Sequence, residues 1–154
     1  MTSELTSADA DTDRRTLGRT AAWLAKQVEL GLADVDLSLP QYRVLGLLDE
    51  HSAVSSDLAE RLAVRPPTVT AVVDGLVSRG LVGRHPVAGD RRRVDHRLTD
   101  EGLALLGAAD AAVEARLVLV TDAMGDTAAT EEAFAGLARW RRALVAYSRA
   151  RWGR

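Results

Sequence analysis

Two short stretches of this sequence carry side chains suited to gripping a polyanion. Arg65-Pro66-Pro67-Thr68-Val69-Thr70 brings a guanidinium and two hydroxyls close together, and Gly89-Asp90-Arg91-Arg92-Arg93 places three guanidiniums in a row after one carboxylate. An Arg fork bonds phosphate oxygens or guanine edges in pairs, and it enters narrow minor grooves. A Thr hydroxyl bonds base edges or phosphates. The chemistry these residues imply is non-covalent recognition of a phosphate backbone and base edges. Bond-breaking chemistry has no comparable set. There is no cysteine, hence no thiolate nucleophile, thiolate metal site or disulfide. His51, His85 and His96 show no metal-ligand spacing, and no glycine-rich phosphate loop is present. We expect no enzyme, no cofactor and no metal.

Local elements have to aim these side chains. Ser55 is placed to cap a short helix with Asp57 in its first turn, ending near Ala63. Pro66 suits the first turn of a second helix running to Ser78, with Gly80 as its stop. Leu58, Leu62, Val64, Val69 and Val72 give the pair facing apolar surfaces, Ala59 is the small crossing residue, and Ala63 stands where such turns often carry Gly. The second helix, about 20 Å long, exposes Arg65, Pro66, Thr68 and Thr70 at its start, and bare N–H groups there suit a phosphate oxygen. Leu81–His85 and Val94–Leu98 flank Val87-Ala88-Gly89-Asp90, which has hairpin-turn chemistry, so a two-stranded ribbon carries Arg91, Arg92 and Arg93 at its tip. His85 and His96 should be exposed on that ribbon.

Helices bracket this centre. From Arg14 a stripe of Leu17, Ala21, Leu24, Val28 and Leu32 holds helical spacing, with Gly31 and Asp34 marking the fraying end. Ser38 and Gln41 form a capping box for a helix from about Pro40 to Glu50. Thr99 caps a long helix striped by Leu103, Leu106, Ala109, Val113, Leu117, Val120 and Met124, and Thr130 opens a last one striped by Phe134, Leu137, Trp140, Leu144 and Tyr147. The fold class is mainly α with a small β-hairpin: a winged helix-turn-helix with long N- and C-terminal dimerisation helices. Residues 37–99 form the lobe, 14–36 and 100–154 the helical dimerisation region, and 1–13 a disordered acidic N-terminus.

The 154 residues allow one ordinary domain. Charge is sorted along it. Residues 1–60 are net −6, 61–99 net +5, 100–132 net −7 and 133–154 net +6, and these segments make up the overall −2. An acidic balance therefore does not exclude nucleic acid, because one basic face sets the field a phosphate meets. Arg139, Arg141, Arg142, Arg149, Arg151 and Arg154 are expected to pair with the acidic segment rather than with DNA. The start of the chain has no basic, apolar secretory signal and no run reaches membrane-span length, so we expect a cytoplasmic protein. A helix of about 25 residues, roughly 37 Å long, outruns the compact centre and needs a second copy against its apolar face.

Ser55 to Val82, then Asp90-Arg91-Arg92 and Leu98-Thr99-Asp100-Glu101-Gly102, resemble the winged helix-turn-helix of MarR-type transcriptional regulators. The resemblance extends over about residues 14–150. It implies a homodimer with interlocked terminal helices and a recognition helix that carries Arg65, Thr68 and Thr70 into the major groove. It also implies Arg92 at a wing tip in the minor groove, with Asp90 orienting the wing arginine. Many members have an earlier Asp where this chain has Val87. The function implied is a sequence-specific DNA-binding regulator, more in keeping with a repressor than an activator. Members of the family often release DNA when a small aromatic or anionic effector enters the crevice between dimer helices and lobes. Trp23, Arg43 and His51 lie on helices that could line such a crevice, though each also has a plain structural reading as core or interface, surface group and helix-end residue. The alternative is a helical protein–protein interaction module without specific DNA binding.

Overall fold

A computed structural model describes the backbone of residues 2–87 and 90–152, and the side chains of 15–87, 93–147, 150 and 151. The elements run α1 (Thr2–Ala33), α2 (Leu39–Glu50), β1 (Ala53–Val54), α3 (Ser55–Leu62), α4 (Pro66–Ser78), β2 (Val82–Val87), β3 (Asp90–Leu98), α5 (Asp100–Asp122) and α6 (Thr127–Trp152). The mainly helical class with a small sheet is as expected.

Three elements depart from the expected bounds. Helical backbone extends to Thr2, upstream of Arg14, where a disordered segment is expected; Ala8 and Ala10 are strong helix formers, and acidic groups near a helix N-terminus suit its dipole, so the missing apolar stripe did not preclude a helix. α6 starts at Thr127 rather than Thr130, because Asp126 supplies the cap: its Oδ1 accepts from the Ala128 N–H at 2.9 Å. The ribbon gains a third strand. β1 pairs antiparallel with β3, Ala53 opposite His96 and Val54 opposite Asp95, in a sheet ordered β1-β3-β2. Two residues carry too little pattern to announce a strand. Val54, still extended at φ −83° and ψ 158°, therefore takes the N-cap place of α3, and Ser55 lies inside the helix instead of capping it.

The core lies where α1, α2, α3, α4 and α5 meet the sheet. Leu32, Val44, Leu45, Leu58, Val69, Val73 and Leu76 are its most completely buried large side chains, each contributing about 1.5–3 kcal/mol of apolar transfer energy. α1 crosses α5 very closely at Gly31, where an added Cβ would meet the backbone of Ala112 and Val113 at 3.0 Å. Gly31 is thus a packing residue, and α1 continues past it to Ala33.

α1, α3 and α4 end in the same hydrogen-bonded cap, in which a residue one to three positions past the helix turns left-handed and two N–H groups bond back. At the end of α3, Val64 N–H bonds the Ala59 carbonyl at 3.0 Å and Ala63 N–H bonds the Glu60 carbonyl at 3.1 Å. Ala63 sits at φ 54°, ψ 43°, so the turn forms without glycine. α4 ends likewise at Gly80, φ 72°. The capping box of Ser38 and Gln41 is present as expected.

The Leu98-Thr99-Asp100-Glu101-Gly102 segment has a physical reason for its residues. Thr99 Oγ1 accepts from the Gly102 N–H at 3.0 Å and donates to the Gly80 carbonyl at 2.7 Å. A Cβ at Gly102 would lie 2.0 Å from the Leu81 carbonyl oxygen. Only glycine lets α5 start against the α4–β2 corner. No helix among the described residues is long and apolar enough to cross a membrane.

Candidate nucleic-acid interface

α3 and α4 cross as the helix pair expected. Buried Leu58, Ala59 and Leu62 face buried Val69, Val73 and Leu76. This packing turns Arg65, Pro66, Thr68 and Thr70 outward, and all four are exposed. Arg65 holds the N-cap place with extended backbone, φ −69° and ψ 141°. The bare N–H groups expected there are absent: Pro66 and Pro67 have none, and those of Thr68 and Val69 bond the Arg65 carbonyl at 3.0 and 3.3 Å. The start of α4 therefore presents side chains and no free backbone N–H group at Pro66 to Val69.

A cleft of about 460 Å³ separates α4 from the sheet, lined by Val54, Ser55, Ser56, Thr70, Asp74, Arg84, Arg93, Val94 and His96. Of the expected contact residues it gathers Thr70 from the helix and Arg93 from the wing. Thr70 Oγ1 donates to the Pro66 carbonyl at 3.1 Å, which leaves its oxygen lone pairs free to accept. Among the described residues Arg93 has no ion-pair partner. Arg65, Pro66 and Thr68 stand outside the cleft on the same exposed helix start. The side chains of Asp90, Arg91 and Arg92, and the hairpin residues Ala88 and Gly89, lie outside the described residues.

Five polar lining residues were not among the contact residues expected from the sequence. Arg84 pairs with Asp74 and so ties β2 to α4. Its strand register, opposite His96, places both on one face of the sheet. That register is not readable from one strand alone. Ser55 and Ser56 belong to the opening turn of α3, which takes no side-chain cap and carries Asp57. His96 is only 4% exposed, not solvent-facing as expected; its Nδ1 lies 3.1 Å from the Ala53 carbonyl. The unforeseen β1 covers it.

Next to His96, partial burial works against the charge of Asp95, but hydrogen bonds from Ser52 and Arg97 outweigh it and hold its carboxyl below the usual carboxylate range. Arg97 Nε donates to Asp95 Oδ2 at 3.0 Å. Within the single chain the three residues considered for an effector crevice make separate contacts. Trp23 is 73% exposed on α1, the Arg43 guanidinium donates to the Leu62 carbonyl at 3.2 Å, and His51 contacts Arg61, which also bonds Glu50 at 2.9 Å. A second cleft, of about 400 Å³ where α2 and β3 meet α5, is lined by other residues, among them Asp49, Arg97 and Asp100. Among the described residues no cluster of His, Cys, Asp and Glu is arranged to hold a metal.

Residues 35–93 match the MarR family model. The HTH-type transcriptional repressor Rv2887 of Mycobacterium tuberculosis is 32% identical over 100 residues, which span 64% of this chain and 72% of that protein. The chain belongs to the MarR family. MdtR of Bacillus subtilis, also an HTH-type transcriptional repressor, is 41% identical over 63 residues, 40% of this MarR-family chain. The match spans 41% of MdtR's own length. Among solved structures, the transcriptional repressor CouR bound to a 23-mer DNA duplex superposes with a TM-score of 0.67 at 29% identity, covering 82% of this chain and 89% of CouR. The family match takes in α2, α3, α4 and the ribbon as far as Arg93, so within the MarR frame α4 is the recognition helix and β2–β3 the wing.

Proposed function

We propose that the chain is a homodimeric repressor that binds double-stranded DNA, with α4 in the major groove and the wing along the neighbouring backbone or minor groove. The observation that carries this reading is the cleft that sets Thr70 of α4 and Arg93 of β3 on one surface, beside the exposed Arg65 and Thr68. A groove reader needs hydrogen-bonding side chains on a helix and cations on a flanking projection, and this surface has both. CouR, which shares the fold, is seen on a DNA duplex, and the relatives above are named repressors.

The dimer rests on the terminal helices. Leu17 and Trp23 of α1, Leu119 of α5 and Trp140, Leu144 and Tyr147 of α6 are exposed in the single chain, an apolar display that soluble monomers rarely keep. A second copy gives every such face a like partner. In that dimer each α4 meets one half-site, the two about 34–36 Å apart.

The test is binding of the purified chain to the DNA flanking its own gene, beside a nonspecific duplex, at two salt concentrations. Selective binding that weakens steeply with salt is expected, since neutralising about 6–10 phosphates costs roughly 10³–10⁵ in affinity between 50 and 200 mM salt. Failure to select any genomic sequence would instead favour the protein–protein module.

A further inference from the structure

The end of α4 remote from the DNA-facing residues is held by a contact that DNA recognition does not explain. α1 closes in a left-handed cap: Leu37 N–H bonds the Leu32 carbonyl at 3.1 Å and Asp36 N–H bonds the Ala33 carbonyl at 3.3 Å, with Asp36 at φ 53° in the place glycine usually fills. α4 closes in the same way at Gly80, with Arg79 immediately before it. Arg79 Nη1 donates to the Asp36 carbonyl at 2.8 Å, and Nη2 lies 3.5 Å from Asp36 Oδ2. One guanidinium joins two helix ends that lie 43 residues apart. The Asp36 carboxylate is fully exposed, so its ion pair is weak; the bond to the carbonyl, whose direction the cap fixes, does the positioning.

Two side-chain hydrogen bonds hold this end of α4. From the α5 side, Thr99 Oγ1 holds the Gly80 carbonyl. From the α1 side, Arg79 holds Asp36. Val69, Val73 and Leu76 of α4 are buried in the core, so with the Arg79 tie cut α4 can turn only together with the lobe it is packed into, about the Thr99 tie. Thr68 lies about 16 Å along the helix from Arg79, so a rocking of about 5° moves its side chain by about 1.4 Å, more than a hydrogen bond to a base edge tolerates.

We infer that the Arg79–Asp36 clasp fixes the angle at which the recognition helix leaves the terminal helices, and thereby sets the spacing of half-sites the dimer accepts. Arg79 is a positioning residue, not a DNA contact. The inference rests on the dimeric DNA-binding reading above.

Because the chain has no cysteine, a single cysteine replacing the exposed Ala71 of α4 takes a spin label cleanly. Dipolar spectroscopy without DNA then reads the distance between the two α4 helices of a dimer. Arg79→Met keeps the length of the stem and removes the donors; Asp36→Asn keeps the carbonyl and removes the charge. The parent is expected to give one narrow distance, Arg79→Met a distribution about twice as wide, and Asp36→Asn the parent's width. On unlabelled protein, insertion of one base pair between half-sites should cost the parent at least about tenfold in affinity and Arg79→Met less than about threefold. Thermal melts check that each variant is folded; should Arg79→Met not fold, Arg79→Gln, which offers shorter donors, takes its place. An unchanged width together with an unchanged spacing penalty would overturn the clasp. A parent of monomeric mass with no dipolar signal would overturn the dimer first, visibly before any variant is compared, and the clasp with it.

Discussion

Arg93 and Asp95 stand two residues apart on one strand and do opposite things. Among the described residues Arg93 has no ion-pair partner at the cleft, whereas Asp95 is bonded to Arg97 and Ser52 beside the buried His96. Arg93→Ala should therefore weaken operator binding by about 1–3 kcal/mol if the guanidinium reaches a base edge, or lower the salt slope by about one if it meets a phosphate. Titrations at several salt concentrations separate the two, and unchanged affinity at low salt would remove Arg93 from the interface. For Asp95 the sign follows from its lowered pKa: the carboxylate is favoured in the folded state, so its stabilisation is present at neutral pH and is lost as pH falls below the ordinary carboxylate range towards the folded pKa. Thermal melts from pH 7 down to pH 3 should show a shallower acid decline for Asp95→Asn than for the parent. A decline of equal slope would mean the Ser52 and Arg97 bonds contribute nothing.

Among the elements, the helix ends decide the geometry. Ala63 forms a left-handed turn that costs a Cβ-bearing residue about 1–2 kcal/mol, part of which glycine would return as unfolded-state entropy. Ala63→Gly should raise stability by about 0.5–1 kcal/mol, or about 2–3 °C in melting temperature, with DNA affinity retained. A fall in melting temperature would show that the φ of 54° is not strained. Gly102 is the reverse case. A methyl there collides with the Leu81 carbonyl, so Gly102→Ala should destabilise by about 2–4 kcal/mol, read as a shift in denaturant midpoint, because backbone on both sides of the clash has to move. Both residues were singled out in the sequence, Ala63 as the turn and Gly102 within the Leu-Thr-x-x-Gly segment. Their reasons appear only once Leu81 and Glu60 are placed opposite them.

On the scale of the whole molecule, the terminal helices leave their apolar stripes uncovered. Trp140 is 64% exposed and Leu144 59% in the single chain. Leu144→Arg places a charge in the stripe and should convert a dimer to a monomer in analytical ultracentrifugation, with the melting transition of the lobe largely kept. Affinity for a two-half-site operator should fall to that of a single half-site, a loss of two or more decades when the second site no longer contributes by proximity. A variant that stays dimeric would move the interface off α6. The expected pairing of the C-terminal arginines with the acidic segment is not seen within one chain for Arg139, Arg141 or Arg142: the ion pairs among the described residues lie elsewhere. Charge sorted along a sequence says that two surfaces can attract, and only their placement says whether they meet.

Local order was legible from the residues. The Ser38 capping box, the proline start of α4, the Gly80 stop and the Thr99 cap each depend on atoms within a few residues, so their chemistry is complete in the sequence. The helix pair with Arg65, Pro66, Thr68 and Thr70 turned outward followed from apolar spacing for the same reason. Whatever depends on partners far along the chain did not follow. A two-residue strand exists only because β3 offers it an edge, and that edge buries His96. Arg84 joins the site only through a strand register and a carboxylate on another element. Prolines chosen to start α4 also remove the N–H donors that its start was expected to offer. Arg79 meets Asp36 only when two helix ends are brought to one corner. Periodicity and capping are set by neighbours in sequence; close approach, burial and charge pairing are set by neighbours in space, and only the fold supplies those.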